Sequence, residues 1–179
     1  MHLIMIRICA AACIAGAGVF AVAASAQGGA TLALTQHPEL GSYLVDGNGM
    51  ALYLFEEDRR DGERGRSVET DCVTDECLSR WPPFGGEPLP AAGEGVDPAL
   101  IGSFVRPDGK TQAMYNGWPL YYFAEDFVAG DIAGHDFEEF GGEWYLVTPA
   151  GDDVGNQNHE RGDDRDDDDD SGNDDDSDD

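Results

Sequence analysis

The segment Asn48-Gly49-Met50-Ala51-Leu52-Tyr53-Leu54-Phe55-Glu56-Glu57-Asp58 returns as Asn116-Gly117-Trp118-Pro119-Leu120-Tyr121-Tyr122-Phe123-Ala124-Glu125-Asp126. The copy lies 68 residues later and is identical at seven of eleven positions. The match continues past the aspartates, where Gly62-Glu63 meets Gly130-Asp131, so the copies span roughly residues 43–63 and 111–131. An internal copy at constant spacing implies a duplicated supersecondary unit. That constrains architecture closely and activity hardly at all.

The periodicity around the repeat is that of strands. Residues 41–45 and 50–55 flank Asp46-Gly47-Asn48-Gly49, which is turn chemistry for a hairpin. Residues 103–106 and 111–115 flank Pro107-Asp108-Gly109-Lys110. Asn116-Gly117 then turns the chain into residues 118–123, and residues 143–148 read as a closing strand. Residues 61–71 and 82–98 are rich in Gly, Pro and charge and read as loops. The single helical candidate is a short turn over residues 73–80. The expected fold is mainly β: a small antiparallel domain of two pseudo-symmetric hairpin repeats.

On a strand, Tyr53 and Phe55 share one face, as do Tyr121 and Phe123. They suit a core between the hairpins. Asp58 and Asp126 fall just past the strand ends, where a carboxylate readily accepts backbone N–H groups in a turn. The functional alternative brings Asp58 and Asp126 together, with Glu57, Glu125 or Asp131, as a cation or acid/base site of the kind that metal or glycoside chemistry needs.

The first 26 residues read as a secretory signal: one positive charge, an apolar run over residues 8–22, and Ala24-Ser25-Ala26 before the expected cleavage point. The run is too short and weakly apolar for a retained membrane span. Cys13 lacks a convincing lipid-attachment context, so lipidation there is not expected. Cleavage leaves Cys72 and Cys77, which in an exported chain read as a disulfide. A redox-active pair is the alternative, although Asp71, Asp75 and Glu76 disfavour a thiolate. A metal pair would need further ligands.

Residues 27–150 hold 22 acids against 7 bases, and residues 151–179 hold 15 against 2. With no basic patch to displace counterions, nucleic acid and anionic membranes are poor partners. The Asp-rich stretch 151–179 cannot bury enough apolar surface to offset its ordering entropy and is expected to be disordered. A calcium-loop template can be laid over Asp167 to Asp178, but so it can over any Asp-rich window. Weak divalent association is the most that is expected there, and no cofactor is expected. Of the other candidates, His37, His135 and His159 show no ligand spacing, and His135-Asp136 is a weak catalytic pair. Trp81-Pro82-Pro83 reads as a core tryptophan entering a rigid loop.

Tyr-x-Phe-x-x-Asp twice (Tyr53, Phe55, Asp58; Tyr121, Phe123, Asp126), with Cys72…Cys77-x3-Trp81-Pro82-Pro83 between, resembles the bacterial secreted-repeat proteins described as predicted lipoproteins with a Yx(FWY)xxD motif. The resemblance covers residues 41–148. It extends to Leu52 and Leu120, to Asp108-Gly109, and to Glu143-Trp144-Tyr145-Leu146-Val147. It implies an extracytoplasmic, mostly β module, often membrane-tethered. The missing lipobox and the added Asp-rich tail depart from the pattern. The reading that follows is a secreted or periplasmic non-catalytic binding module with an envelope or extracellular partner. A metal-binding or redox-accessory protein is the alternative, and a carboxylate hydrolase ranks third.

Overall fold

The computed structural model describes residues 30–155. The signal segment with Cys9 and Cys13, the acidic stretch beyond Gly155, the calcium-loop template and His159 all lie outside the described residues.

The described chain is mainly β. Its strands are β1 (Thr31–His37), β2 (Gly41–Asp46), β3 (Tyr53–Phe55), β4 (Ala91–Ala92), β5 (Ile101–Val105), β6 (Thr111–Tyr115), β7 (Trp118–Pro119), β8 (Phe137–Glu139) and β9 (Gly142–Leu146). They form three three-stranded sheets, ordered β2-β1-β4, β3-β9-β8 and β5-β6-β7. Every ladder is antiparallel except the two-residue β1–β4 pair. One α-helix, α1 (Asp75–Arg80), follows Cys72 as the sequence suggests. Thr74 starts it by accepting the Cys77 N–H on its hydroxyl.

Turn chemistry sets the hairpins. Asp46 accepts the N–H groups of Asn48 and Met50 on one carboxylate oxygen, at 2.8 and 2.9 Å. Asn116 and Gly117 both take positive φ, 49° and 84°, as a tight two-residue hairpin turn requires. Glycine is also needed at 117 because a Cβ there would lie 2.9 Å from the Asp61 carbonyl oxygen.

Three features depart from the sequence reading. First, β1 precedes the first expected strand and supplies the long ladder partner of β2, from Leu32↔Asp46 to His37↔Gly41. Leu32 is buried and Leu34 packs beside it, so an alternation hidden next to the signal segment is what binds β1. Second, the motif strands leave their own hairpins early. After the bridge Val45↔Ala51, residues 53–55 pair with β9 instead. Third, the first residues of the stretch 151–179 expected to be disordered, 151–155, pack on the folded domain. Val154 is buried, its N–H reaches the Leu146 carbonyl at 2.8 Å, and Asp153 bridges Val147. Burial of that one valine holds residues 151–155 to the domain.

The duplication is a true pseudo-twofold. Tyr53 and Tyr121 exchange both backbone hydrogen bonds at 2.9 Å, so the axis passes between them. On either side the contacts repeat: Leu52 N–H to Leu44 O at 3.1 Å matches Leu120 N–H to Ala113 O at 3.0 Å. Glu56 N–H to Glu143 O at 3.0 Å matches Ala124 N–H to Arg80 O at 2.9 Å. Leu44 N–H to Val147 O likewise matches Ala113 N–H to Phe84 O. Trp81-Pro82-Pro83 is therefore the counterpart of Trp144-Tyr145-Leu146. It is a strand-like edge and not merely the start of a loop, with Pro83 bridging Tyr121 and the Pro82 carbonyl accepting the Tyr122 N–H. Proline is tolerated because only its carbonyl is asked to pair.

Candidate functional site

The motif residues converge on the pseudo-twofold axis, and they do so crosswise. The Tyr53 hydroxyl donates to Asp126 Oδ2 at 2.6 Å, and the Tyr121 hydroxyl donates to Asp58 Oδ2 at 2.6 Å. Each tyrosine of one repeat thus bonds the aspartate of the other. The remaining carboxylate oxygens turn back to their own loops: Asp58 Oδ1 accepts the Asp71 N–H at 2.8 Å, and Asp126 Oδ1 accepts the Ala133 N–H at 2.9 Å. The peptide N–H of each aspartate closes a turn on the motif phenylalanine, Asp58 to Phe55 O and Asp126 to Phe123 O. The backbone-capping role expected of Asp58 and Asp126 is present; the bond across the repeats is the part that spacing alone did not reveal.

The aromatic residues follow the same symmetry. Trp81 and Trp144 stack with ring centres 3.9 Å apart and planes 4° from parallel. Phe55 stacks on Trp144 at 4.2 Å, and Phe123 lies against Trp81 at 4.3 Å. Tyr53 meets Trp81 edge-on and Tyr121 meets Trp144 edge-on. Both indole N–H groups end on Glu139, one at its carboxylate and one at its carbonyl. Each Phe therefore packs on the tryptophan of the opposite repeat. The facing residues Leu52, Leu54 and Leu120 fill a second cluster, so both faces of the motif strands are buried.

Burial dominates the electrostatics. Asp58 is 2 % exposed and Asp126 8 %. Desolvation pushes the Asp58 carboxyl up to about 7, partly opposed by the Tyr121 hydroxyl and the Asp71 N–H. Asp126 is raised for the same reason, opposed by Tyr53 and Ala133. Both tyrosine hydroxyls are held well above their usual range by burial and by the carboxylates they touch. They are donors, not acids.

The other candidate residues are placed apart from this centre. Asp131 accepts the N–H groups of Phe127 and Val128 at 2.8 and 3.0 Å, shaping the loop after Asp126. Cys72 and Cys77 form a buried disulfide with a Cα separation of 5.5 Å. His37 Nδ1 accepts two N–H groups in the β1–β2 turn, and His135 Nδ1 accepts the Leu146 N–H at 3.4 Å. Burial lowers the His135 pKa. Among the described residues, no group of three or more His, Cys, Asp or Glu is placed to hold a metal ion.

Sequence reasoning missed Arg106 altogether. Its guanidinium is buried and donates to the Cys72 carbonyl and to Gln112 Oε1, while Gln112 Nε2 donates to the Leu120 carbonyl at 2.8 Å. Thr70 bonds the Tyr121 hydroxyl at 2.7 Å. Nothing in the local sequence separates this arginine from an exposed one beside a Pro-Asp-Gly turn. A cavity of about 570 Å³ lies elsewhere, between residues 60–63 and Leu100, Met114 and Asn116.

A family model described as a secreted repeat of unknown function matches residues 35–84 and 102–148, more than half of the chain and one match for each structural repeat. Neither a curated protein nor a solved structure gives a match. Among the described residues, no helix is long and apolar enough to cross a membrane.

Proposed function

This chain belongs to a family of secreted repeats of unknown function, and from that premise we propose that it is a non-catalytic extracytoplasmic binding module whose repeated motif is a structural lock. The observation that carries the reading is the crossed Tyr–Asp pairing. The hydroxyls of Tyr53 and Tyr121 and all four carboxylate oxygens of Asp58 and Asp126 are bound to other protein groups, and the four side chains are buried. A general acid/base pair needs reach to a substrate, and a hard cation needs free carboxylate oxygens. The disulfide sulfurs are buried as well, which leaves a redox partner no access.

Binding is then assigned to the loops that the two aspartates anchor. They stand at equivalent positions but carry opposite chemistry. After Asp58 come Arg59 and Arg60; after Asp126 come Phe127 and Val128, which are 78 % and 61 % exposed. Asp131 holds the second loop in shape, so an aromatic anchor is displayed at little entropic cost. Export through the signal at residues 1–26 places this surface in the periplasm or medium, facing an envelope or extracellular partner.

The test is a thermal melt of the mature protein with Ca²⁺, Zn²⁺, Cu²⁺ and haem, repeated on Asp58→Asn plus Asp126→Asn. A specific site at a ligand concentration of 100 times Kd would add about 2.7 kcal/mol. The lock reading expects no ligand shift that depends on the two aspartates. A rise of several degrees that the double variant abolishes would instead establish a metal or cofactor site at the motif.

A further inference from the structure

The sheet β5-β6-β7 ends on an open edge, and that edge is β5 (Ile101–Val105). Its partner β6 lies on one side only, in register from Ile101↔Tyr115 to Val105↔Thr111. The far side of β6 fixes where the backbone groups of β5 point. Ala113, opposite Ser103, sends its N–H to the Phe84 carbonyl and accepts the Leu120 N–H; Thr111, opposite Val105, accepts the Gly86 N–H. The N–H and carbonyl of a strand residue point to one side and alternate along the chain, so Ser103 and Val105 turn theirs away from β6. Among the described residues, nothing pairs with those outward groups. Both residues are exposed, Val105 to 69 %. Edges of this kind are ordinarily guarded by charge, proline or a bulge. Residues 98–105, Pro-Ala-Leu-Ile-Gly-Ser-Phe-Val, hold no charge, and their one proline stands ahead of the strand.

The face beside this edge has a hollow. Leu100, Gly102, Met114 and Asn116 share one face of the sheet, and all four line the 570 Å³ cavity. Gly102 leaves the strand without a side chain there; a Cβ would lie 3.2 Å from Met114 Cε. Phe104, two residues on, is half-buried on the same face. We propose that β5 pairs antiparallel with β5 of a second copy about a twofold axis at Ser103, each Phe104 packing over Gly102 of the other copy. In that register Ser103 exchanges both backbone bonds with its mate. Each Val105 N–H meets the Ile101 carbonyl of the second copy, while the Ile101 N–H is already used on the Pro98 carbonyl. Large meets small across the axis, as an aromatic side chain covers a glycine on a neighbouring strand. A shift of two residues would instead oppose Gly102 to Gly102 or Phe104 to Phe104. A foreign strand need not match this spacing, whereas a second copy matches it by symmetry, and one pairing closes both edges. The chain's charge of −27 opposes association from a distance, but none of it falls on residues 98–105. Salt should therefore favour the pair. The dimer forms whatever the loops after Asp58 and Asp126 bind, and it would present each of them twice.

Sedimentation equilibrium of the full mature chain in about 0.5 M NaCl, where distant charges are screened, should show the average mass rising with concentration toward that of a dimer. The strand pair is small beside the roughly 1,200 Å² of a standard interface, so the rise is expected at concentrations on the order of 100 μM. Ser103→Glu and Ser103→Lys each set like charges face to face at an exposed position, and both should abolish the rise. The register is read with oxidised glutathione, the two native cysteines being disulfide-bonded. Ser103→Cys should give a disulfide-linked dimer, because mates in a hydrogen-bonded pair lie about 5.5 Å apart. Val105→Cys, about 14 Å from its mate, should not. A monomer at every concentration would overturn the proposal and leave the edge to an extended segment of another protein. Dimers that survive both charges at Ser103, or that Val105→Cys crosslinks as readily, would overturn it too.

Discussion

At the scale of single residues, the protein keeps two carboxylates where water cannot reach them. Asp58 illustrates the consequence. Its folded pKa is raised from 3.8 to about 7, chiefly by burial. The protonated form is thus favoured by folding, so the stability it confers is fully present below pH 3.8 and is lost as pH rises toward 7. Asp58→Asn does not titrate. Denaturant unfolding from pH 4 to 8 should therefore show the wild type losing ground to this variant by on the order of 1 kcal/mol per pH unit, levelling off above about pH 7. A pH-independent difference would mean that Asp58 ionises freely in the folded state. The placement of Tyr53, Phe55, Tyr121 and Phe123 on one buried face was legible from the two-residue period of a strand. The partner of each hydroxyl was not, because spacing cannot say whether an aspartate five residues away is met by its own tyrosine or by its counterpart.

At the scale of elements, short turns were readable and crossings were not. Asp-Gly and Asn-Gly chemistry located three hairpin turns, since only a few residues tolerate the backbone there. The kinship of Trp81 with Trp144 was hidden because loops of unequal length change the spacing: the motifs are 68 residues apart, the tryptophans 63. The Cys72–Cys77 segment shows how such a loop is secured. Its own disulfide closes few residues and adds only about 2 kcal/mol on chain-entropy grounds. A further hold on the rest of the fold comes from Arg106, which ties the Cys72 carbonyl to the second repeat. Arg106→Lys should lower stability by on the order of 2 kcal/mol in a urea melt, because an ammonium cannot serve both acceptors with the same fork and leaves one buried and unpaired. An unchanged midpoint would mean that the arginine is not what fastens the loop.

At the scale of the whole molecule, the repeats are interlocked halves and not beads on a string. Tyrosine hydroxyls, phenylalanine rings and the tryptophan stack all reach across the axis. Such a centre cannot form in one repeat alone, which explains why the motif occurs twice in one chain. The conspicuous motif is thereby used up in architecture, and the proposed binding surface falls to the less conspicuous loops that follow it. The most direct test is a pair of double-mutant cycles on unfolding free energy. Tyr53→Phe combined with Asp126→Asn should show a coupling of about 1 kcal/mol or more, whereas Tyr53→Phe combined with Asp58→Asn should be additive to within about 0.5 kcal/mol. Coupling within a repeat and additivity across repeats would contradict the crossed lock.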